Sequence, residues 1–156
     1  DSMTGGRLKR IKEYVKEEKS FCFTYGDGLV DIDISKEIAF HNTHGKLATV
    51  AAVQPPGRYG ALELSDSQVT GFTEKPRGDG GLINGGFFVL SPKALSLIND
   101  DNTSWEDETL ELLAKQSELI AWKHTGFWHA MDTLRDKNYL EELWAIKKAP
   151  WKLWSD

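Results

Sequence analysis

One cysteine in 156 residues, Cys22, leaves no intrachain disulfide to form and fits a reducing compartment. It stands between Phe21 and Phe23, so the expectation is a packed core thiol and not a nucleophile. Long apolar runs are absent too: nothing approaches the ~18 residues of a membrane-spanning helix, and no signal peptide opens the chain. The expected setting is cytoplasmic, with no membrane partner. Positive charge is in deficit, 19 Lys and Arg against 24 Asp and Glu, for a net charge of -5. That argues against a nucleic-acid binder steered by bulk charge, while leaving room for an anionic ligand held by a few local basic groups. Repeats, low-complexity tracts and long linkers are missing as well. No initiator Met and no strand precede the polar loop Asp1–Arg7, so the chain reads as beginning in the middle of a fold.

What is present reads as one globular domain over 1–156, with 40% hydrophobic and 28% charged residues. Leu8, Ile11 and Val15, with Tyr14 beside them, predict an amphipathic helix over 6–18. A strand follows over 21–26. Leu29 to Ile34 alternates apolar and acidic residues, a short strand or extended connection with Asp31 and Asp33 solvated. Ser35 is placed to cap a helix running to His44, with Gly45 its stop and His41 and His44 a surface pair. A buried strand over 47–53 leads through a Pro- and Gly-rich loop, 54–60, to a hairpin of 61–64 and 68–74. The next strand, 82–90, contains Gly85 and Gly86, which mark a bulge or a close backbone approach to a ligand. Ser91-Pro92 opens a short helix, 105–115 is helical with Leu110, Leu113 and Ala114 inward, and strands follow at 119–122 and 126–131. Thr133 or Asp132 caps the last helix, through Ile146. Trp151 and Trp154 make the tail too aromatic to lie in water, so it is expected to dock on its own domain or on another subunit.

The stretch with most chemical promise is Phe21-Cys22-Phe23-Thr24-Tyr25-Gly26-Asp27-Gly28. Its strand ends abruptly at Gly-Asp-Gly, which puts Asp27 at a strand's carboxyl end, where open α/β sheets bind ligands. A carboxylate there suits Mg²⁺; the plain alternative is a turn with a solvated Asp. Asp132 likewise follows an apolar run and precedes a helix. The two acids converge only if the fold brings them together.

In order along the chain, Gly5-Gly6-Arg7, Tyr25-Gly26-Asp27-Gly28, Tyr59-Gly60, Glu74-Lys75-Pro76, Asn84-Gly85-Gly86 and Met131-Asp132-Thr133 form a set that resembles the sugar-1-phosphate nucleotidylyltransferases. Asp1–Arg10, Pro56–Leu62 and Met131–Asp136 look like the branch that moves a cytidylyl group from CTP to glucose 1-phosphate, giving CDP-glucose for bacterial surface polysaccharide. The resemblance implies an α/β fold, a Rossmann-like mixed sheet flanked by helices, with its N-terminal strands missing. It also implies a homo-oligomer. The family's Gly-rich triphosphate loop and following Lys have no counterpart here, and Gly78-Asp79-Gly80-Gly81 joins two strands and does not open a helix. The chain therefore resembles the carboxyl-terminal part of such an enzyme, inactive without the N-terminal segment.

The resemblance also assigns roles. Asp27 and Asp132 would hold Mg²⁺, and Lys75 would meet the sugar phosphate as a point charge. Glu74, Gly60 and Asn84 would face the sugar, with Ser2, Gly5, Gly6, Arg7 and Gly26 along the cytidine part. The bland alternatives are a strand-end surface lysine for Lys75 and a hairpin-edge charge for Glu74. Arg58, Arg77 and Arg135 stand near these loops without a role, and Trp128 reads as core. Two other functions remain open: a nucleotidylyltransferase for another sugar or base, and a non-catalytic binding module of the same fold.

Overall fold

The computed structural model describes residues 2–57, 61–73 and 81–155. Two compact units emerge: Asp1–Tyr25 with Asp33–Ala51 and Gly86–Trp122, and Gly26–Ile32 with Ala52–Gly85 and Lys123–Asp156.

Most of a four-stranded sheet lies in the first unit. Its strands are β1 (Phe21–Thr24), β6 (Ile83–Leu90), β3 (Ala48–Val53) and β7 (Leu119–His124), side by side in that order. β1 runs antiparallel to β6, with Phe21 opposite Leu90 and Thr24 opposite Phe87. Alternation along the strands sorts the faces. Phe23 and Phe88 stack at 5.4 Å between ring centres, and each meets the fully buried Trp105 edge-on at 5.8 and 5.7 Å. Leu8, Ala48, Leu90, Leu95, Ile98 and Leu113 complete this core. Helix α1 (Thr4–Arg10), the short 3₁₀ helix Pro92–Leu97, the wide turn Trp105–Leu110 and α4 (Glu111–Lys115) bring those side chains in. The wide turn is defined by the Thr109 N–H donating to the Ser104 carbonyl five residues back.

Several expectations are corrected here. The helix expected over 6–18 breaks at Ile11 into α1 and α2 (Lys12–Val15), and Tyr14 is 86% exposed. Ala114 faces solvent. Cys22 is exposed, because it lies on the terminal strand of the sheet and points away from the Phe21–Phe23 face. Helix α3 (Ile34–His44) is capped not by Ser35 but by Asp33, whose carboxylate accepts the Lys36 N–H at 3.1 Å; Gly45 ends it at φ 67° as expected. His41 and His44 are not a surface pair. His41 is 4% exposed, and both imidazoles reach the Thr49 hydroxyl at 2.8 Å, joining α3 to the face of β3 opposite Ala48. Beside them Glu37 is 2% exposed, its Oε1 has no hydrogen-bond partner, and burial pushes its carboxyl up to about 7. Of the two glycines expected to mark a bulge or a ligand's approach, Gly86 has φ 78° and sits against the Tyr25 ring, 2.6 Å from where a Cβ would stand.

In the second unit, β4 (Ala61–Ser65) and β5 (Gln68–Thr73) form the expected hairpin, with Asp66 at φ 52° in the turn. A two-stranded ribbon, β2 (Gly28–Val30) with β8 (Trp128–Ala130), leads into helix α5 (Leu134–Ala145). Leu140 of α5 is buried, as are Ile32, Ala52 and Val53. The tail returns onto this unit through Trp151, whose ring lies 5.4 Å from that of Phe127, whereas Trp154 stays 57% exposed.

Candidate functional site

The ribbon places the two aspartates. β2 and β8 are antiparallel, with Gly28 opposite Ala130, Leu29 opposite His129 and Val30 opposite Trp128. The pairing extends one rung further at each end. The Met131 N–H donates to the Asp27 carbonyl at 2.8 Å, and the Asp31 N–H to the Phe127 carbonyl at 3.2 Å. Asp27 thus stands immediately before β2 and Asp132 two residues after β8, at the same end of one ribbon. Both are exposed. The expectation that Asp27 ends the preceding strand is adjusted: β1 stops at Thr24, and Asp27 leads directly into β2.

The opposite end is tied by Asp31, which is not the solvated acid the alternation suggested. Its Oδ1 accepts the Phe127 N–H at 2.7 Å and lies 2.8 Å from His124 Nε2. Gly126 makes room for it, since a Cβ there would collide with the same oxygen. At the aspartate end, Thr133 caps α5 in a reciprocal box with Asp136: the Asp136 N–H meets Thr133 Oγ1, and the Thr133 N–H and O–H donate to Asp136 Oδ2 at 2.9 and 2.7 Å. Thr133, then His129, hold the Asp136 carboxyl below its ordinary range. Trp128 is half-buried and donates its Nε1–H to the Gly85 carbonyl at 2.8 Å. It also lines a cavity of about 80 Å³ with Gln54, Pro56, Phe127, His129 and Tyr139.

Of the other sequence-assigned residues, Gly26 is exposed and a Cβ there would meet nothing within 4 Å. Asn84 is exposed on β6. Gly60, Glu74 and Lys75, with Arg58 and Arg77, lie outside the described residues. Ser2, Gly5, Gly6 and Arg7 belong to the first unit, where Arg7 is exposed on α1. Gly5 and Gly6 have a packing reason for being glycine: a Cβ on Gly5 would stand 2.6 Å from the Thr103 carbonyl, and one on Gly6 would overlap Asp101. Among the described residues no group of three or more His, Cys, Asp or Glu is arranged around a metal position. The pair Asp27 and Asp132 offers oxygen donors alone, a set suited to a hard cation that takes its remaining ligands from water and substrate phosphates.

Comparison with known proteins fixes the family. A family model for nucleotidyl transferases matches residues 4–147. The chain belongs to the nucleotidyl transferase family. Glucose-1-phosphate cytidylyltransferase of Salmonella typhi is 61% identical over 153 residues, 98% of this chain and 60% of that protein. The protein of the same name from Salmonella typhimurium strain LT2 matches to the same extent, 61% over 153 residues. The chain spans about 60% of the length of these relatives. Among solved structures, HddC from Yersinia pseudotuberculosis aligns with a TM-score of 0.64 and 25% identity, covering 91% of this chain and 62% of that one. The mixed α/β fold with helices flanking its sheet, expected from the sequence, is thereby the family's.

Proposed function

We propose that the intact protein transfers a cytidylyl group from CTP to glucose 1-phosphate, giving CDP-glucose and pyrophosphate. What carries this reading is the 61% identity, over 98% of the chain, to proteins named for that activity. The pairing of β2 with β8 supports it by bringing the backbones of Asp27 and Asp132 to one end of the ribbon.

In this reaction an oxygen of the sugar phosphate attacks the α-phosphorus of CTP, forming one P–O bond as the bond to pyrophosphate breaks. The nucleophile is already anionic, so no protein base is required; positioning and neutralisation of charge do the catalysis. Asp27 and Asp132 would hold Mg²⁺, which when bound polarises phosphate oxygens and offsets their charge. Their attachment to a hydrogen-bonded ribbon fixes the two backbones, so that only the side chains would have to turn towards the ion. Lys75 and Glu74, by family resemblance, would neutralise the sugar phosphate and hold a sugar hydroxyl. Gly26, open on its Cβ side, leaves room for close approach of the nucleotide. The same reading has the 156-residue chain inactive by itself, because the triphosphate loop of the family has no counterpart in it.

The test is pyrophosphate release by the intact protein with CTP, ATP, GTP and dTTP against glucose 1-phosphate and mannose 1-phosphate. The expected result is release with CTP and glucose 1-phosphate at a kcat/KM at least ~100-fold above any other pair, a discrimination of about 3 kcal/mol. Preference for another base or sugar would replace the assignment within the family; release with no pair would favour a binding module.

A further inference from the structure

The turn that carries Asp132 is closed by a ring of bonds that the reaction above does not call upon. On one side the Met131 N–H is fixed to the Asp27 carbonyl; on the other the Thr133 N–H is fixed to Asp136 Oδ2. Capping α5 occupies only that one oxygen of Asp136, which takes both the N–H and the O–H of Thr133. In a surface capping box the second oxygen is left to water. Here Oδ1 lies 3.1 Å from Nε2 of His129, a residue already held in the β2–β8 ladder opposite Leu29. The His129 ring lies near-parallel to that of Phe127 at 6.4 Å and 5.1 Å from that of Tyr139, and the two bonded side chains are 14% and 21% exposed. The bond therefore spans the turn, joining the strand before Asp132 to the helix after it.

We propose that His129 and Asp136 are positioning residues for Asp132, fixing the backbone from which its carboxylate binds the divalent cation. The inference rests on the reading of Asp27 and Asp132 as the cation's ligands. A carboxylate presented from a turn whose backbone is pinned on both sides pays only its side-chain ordering entropy when the ion arrives, and groups that orient a metal's ligands from behind typically contribute 10–100-fold in affinity. A cap alone would stabilise α5 without any effect on the ion.

The probe is Mn²⁺ binding to the intact protein without substrate, measured by electron paramagnetic resonance of free Mn²⁺. The variants are His129→Phe, His129→Gln and Asp132→Asn. His129→Phe keeps a ring beside Phe127 and Tyr139 but removes the bond to Asp136, and is expected to weaken Mn²⁺ about tenfold. His129→Gln, whose amide can donate to Asp136 Oδ1, is expected to bind within about twofold of the parent, and Asp132→Asn to lose binding altogether. Exchange of the Thr133 amide hydrogen, a second readout, should quicken in His129→Phe and not in His129→Gln. Loss in Asp132→Asn with parent-like binding in His129→Phe, or equal weakening in both His129 variants, overturns the positioning role alone. Parent-like binding in Asp132→Asn overturns the cation assignment, and the positioning role with it.

Discussion

Gly6 and Gly26 are the same residue with opposite reasons for being there. In the interior of a helix, Gly→Ala ordinarily stabilises by about 1 kcal/mol. At Gly6 the sign is reversed, because the new methyl would overlap the Asp101 backbone; Gly6→Ala is expected to cost about 1–3 kcal/mol in chemical denaturation. Gly26→Ala meets open space and should leave the melting temperature within about 1 °C of the parent, while lowering kcat/KM if nucleotide passes close to it. Glu37 gives a prediction in pH. Its carboxyl is raised by burial from 4.5 to about 7, so the folded state binds a proton that the unfolded state has released. The stability it contributes is complete below pH 4.5 and is lost as pH rises through about 7. His41 acts in the opposite sense: burial, then the charges of His44 and Lys19, lower its pKa, so acid weakens the fold through it. The two are separated by comparison with Glu37→Gln, which stays neutral. The variant's advantage over the parent should grow between pH 4.5 and 7.5 towards at most ~3 kcal/mol, and a difference independent of pH would show that Glu37 ionises without cost. None of this was legible in the sequence. His41 and Glu37, four apart on a helix, look like any polar surface pair until the sheet they face is known.

Elements were more readable than contacts. The Phe21 strand, the hairpin with its turn at Asp66, the Gly45 stop and the Thr133 start all follow from local chemistry: β-branched and aromatic runs, a left-handed glycine, a hydroxyl three residues before an acid. The shift of the α3 cap from Ser35 to Asp33 is the ordinary competition between two good cap residues, and Asp33 takes the Lys36 N–H. The ribbon itself, β2 with β8, is three residues on each side and joins positions about a hundred apart, so no local pattern announced it. Its ties can be weighed at this scale. Asp31→Ala removes the acceptor of the Phe127 N–H and the partner of His124, and is expected to cost about 1–3 kcal/mol, against about 1 kcal/mol for Thr133→Ala at the α5 cap. Urea denaturation of both variants checks the order; a larger loss at Thr133 would mean that the cap, and not the Asp31 tie, holds the unit together.

At the scale of the molecule, the ordered set of short motifs led to the family more surely than any one residue led to its role. The tail also divides at this scale. Trp151 rests on Phe127 and Trp154 does not bury its ring, so Trp151→Ala should lower the melting temperature by several degrees and Trp154→Ala by about 1 °C or less. If light scattering shows Trp154→Ala reducing the mass of the assembly, its exposed ring meets another subunit. The central claim, though, is that Asp27 and Asp132 serve one cation in one reaction. It is tested most directly by pyrophosphate release from CTP and glucose 1-phosphate in Asp27→Asn, Asp132→Asn and the double variant of the intact protein. Each single change is expected to reduce kcat/KM by at least about 10²-fold, and the double change to reduce it little further, because two ligands of one ion act as a unit. Losses that multiply in the double variant, or a single variant that works like the parent, would contradict the account.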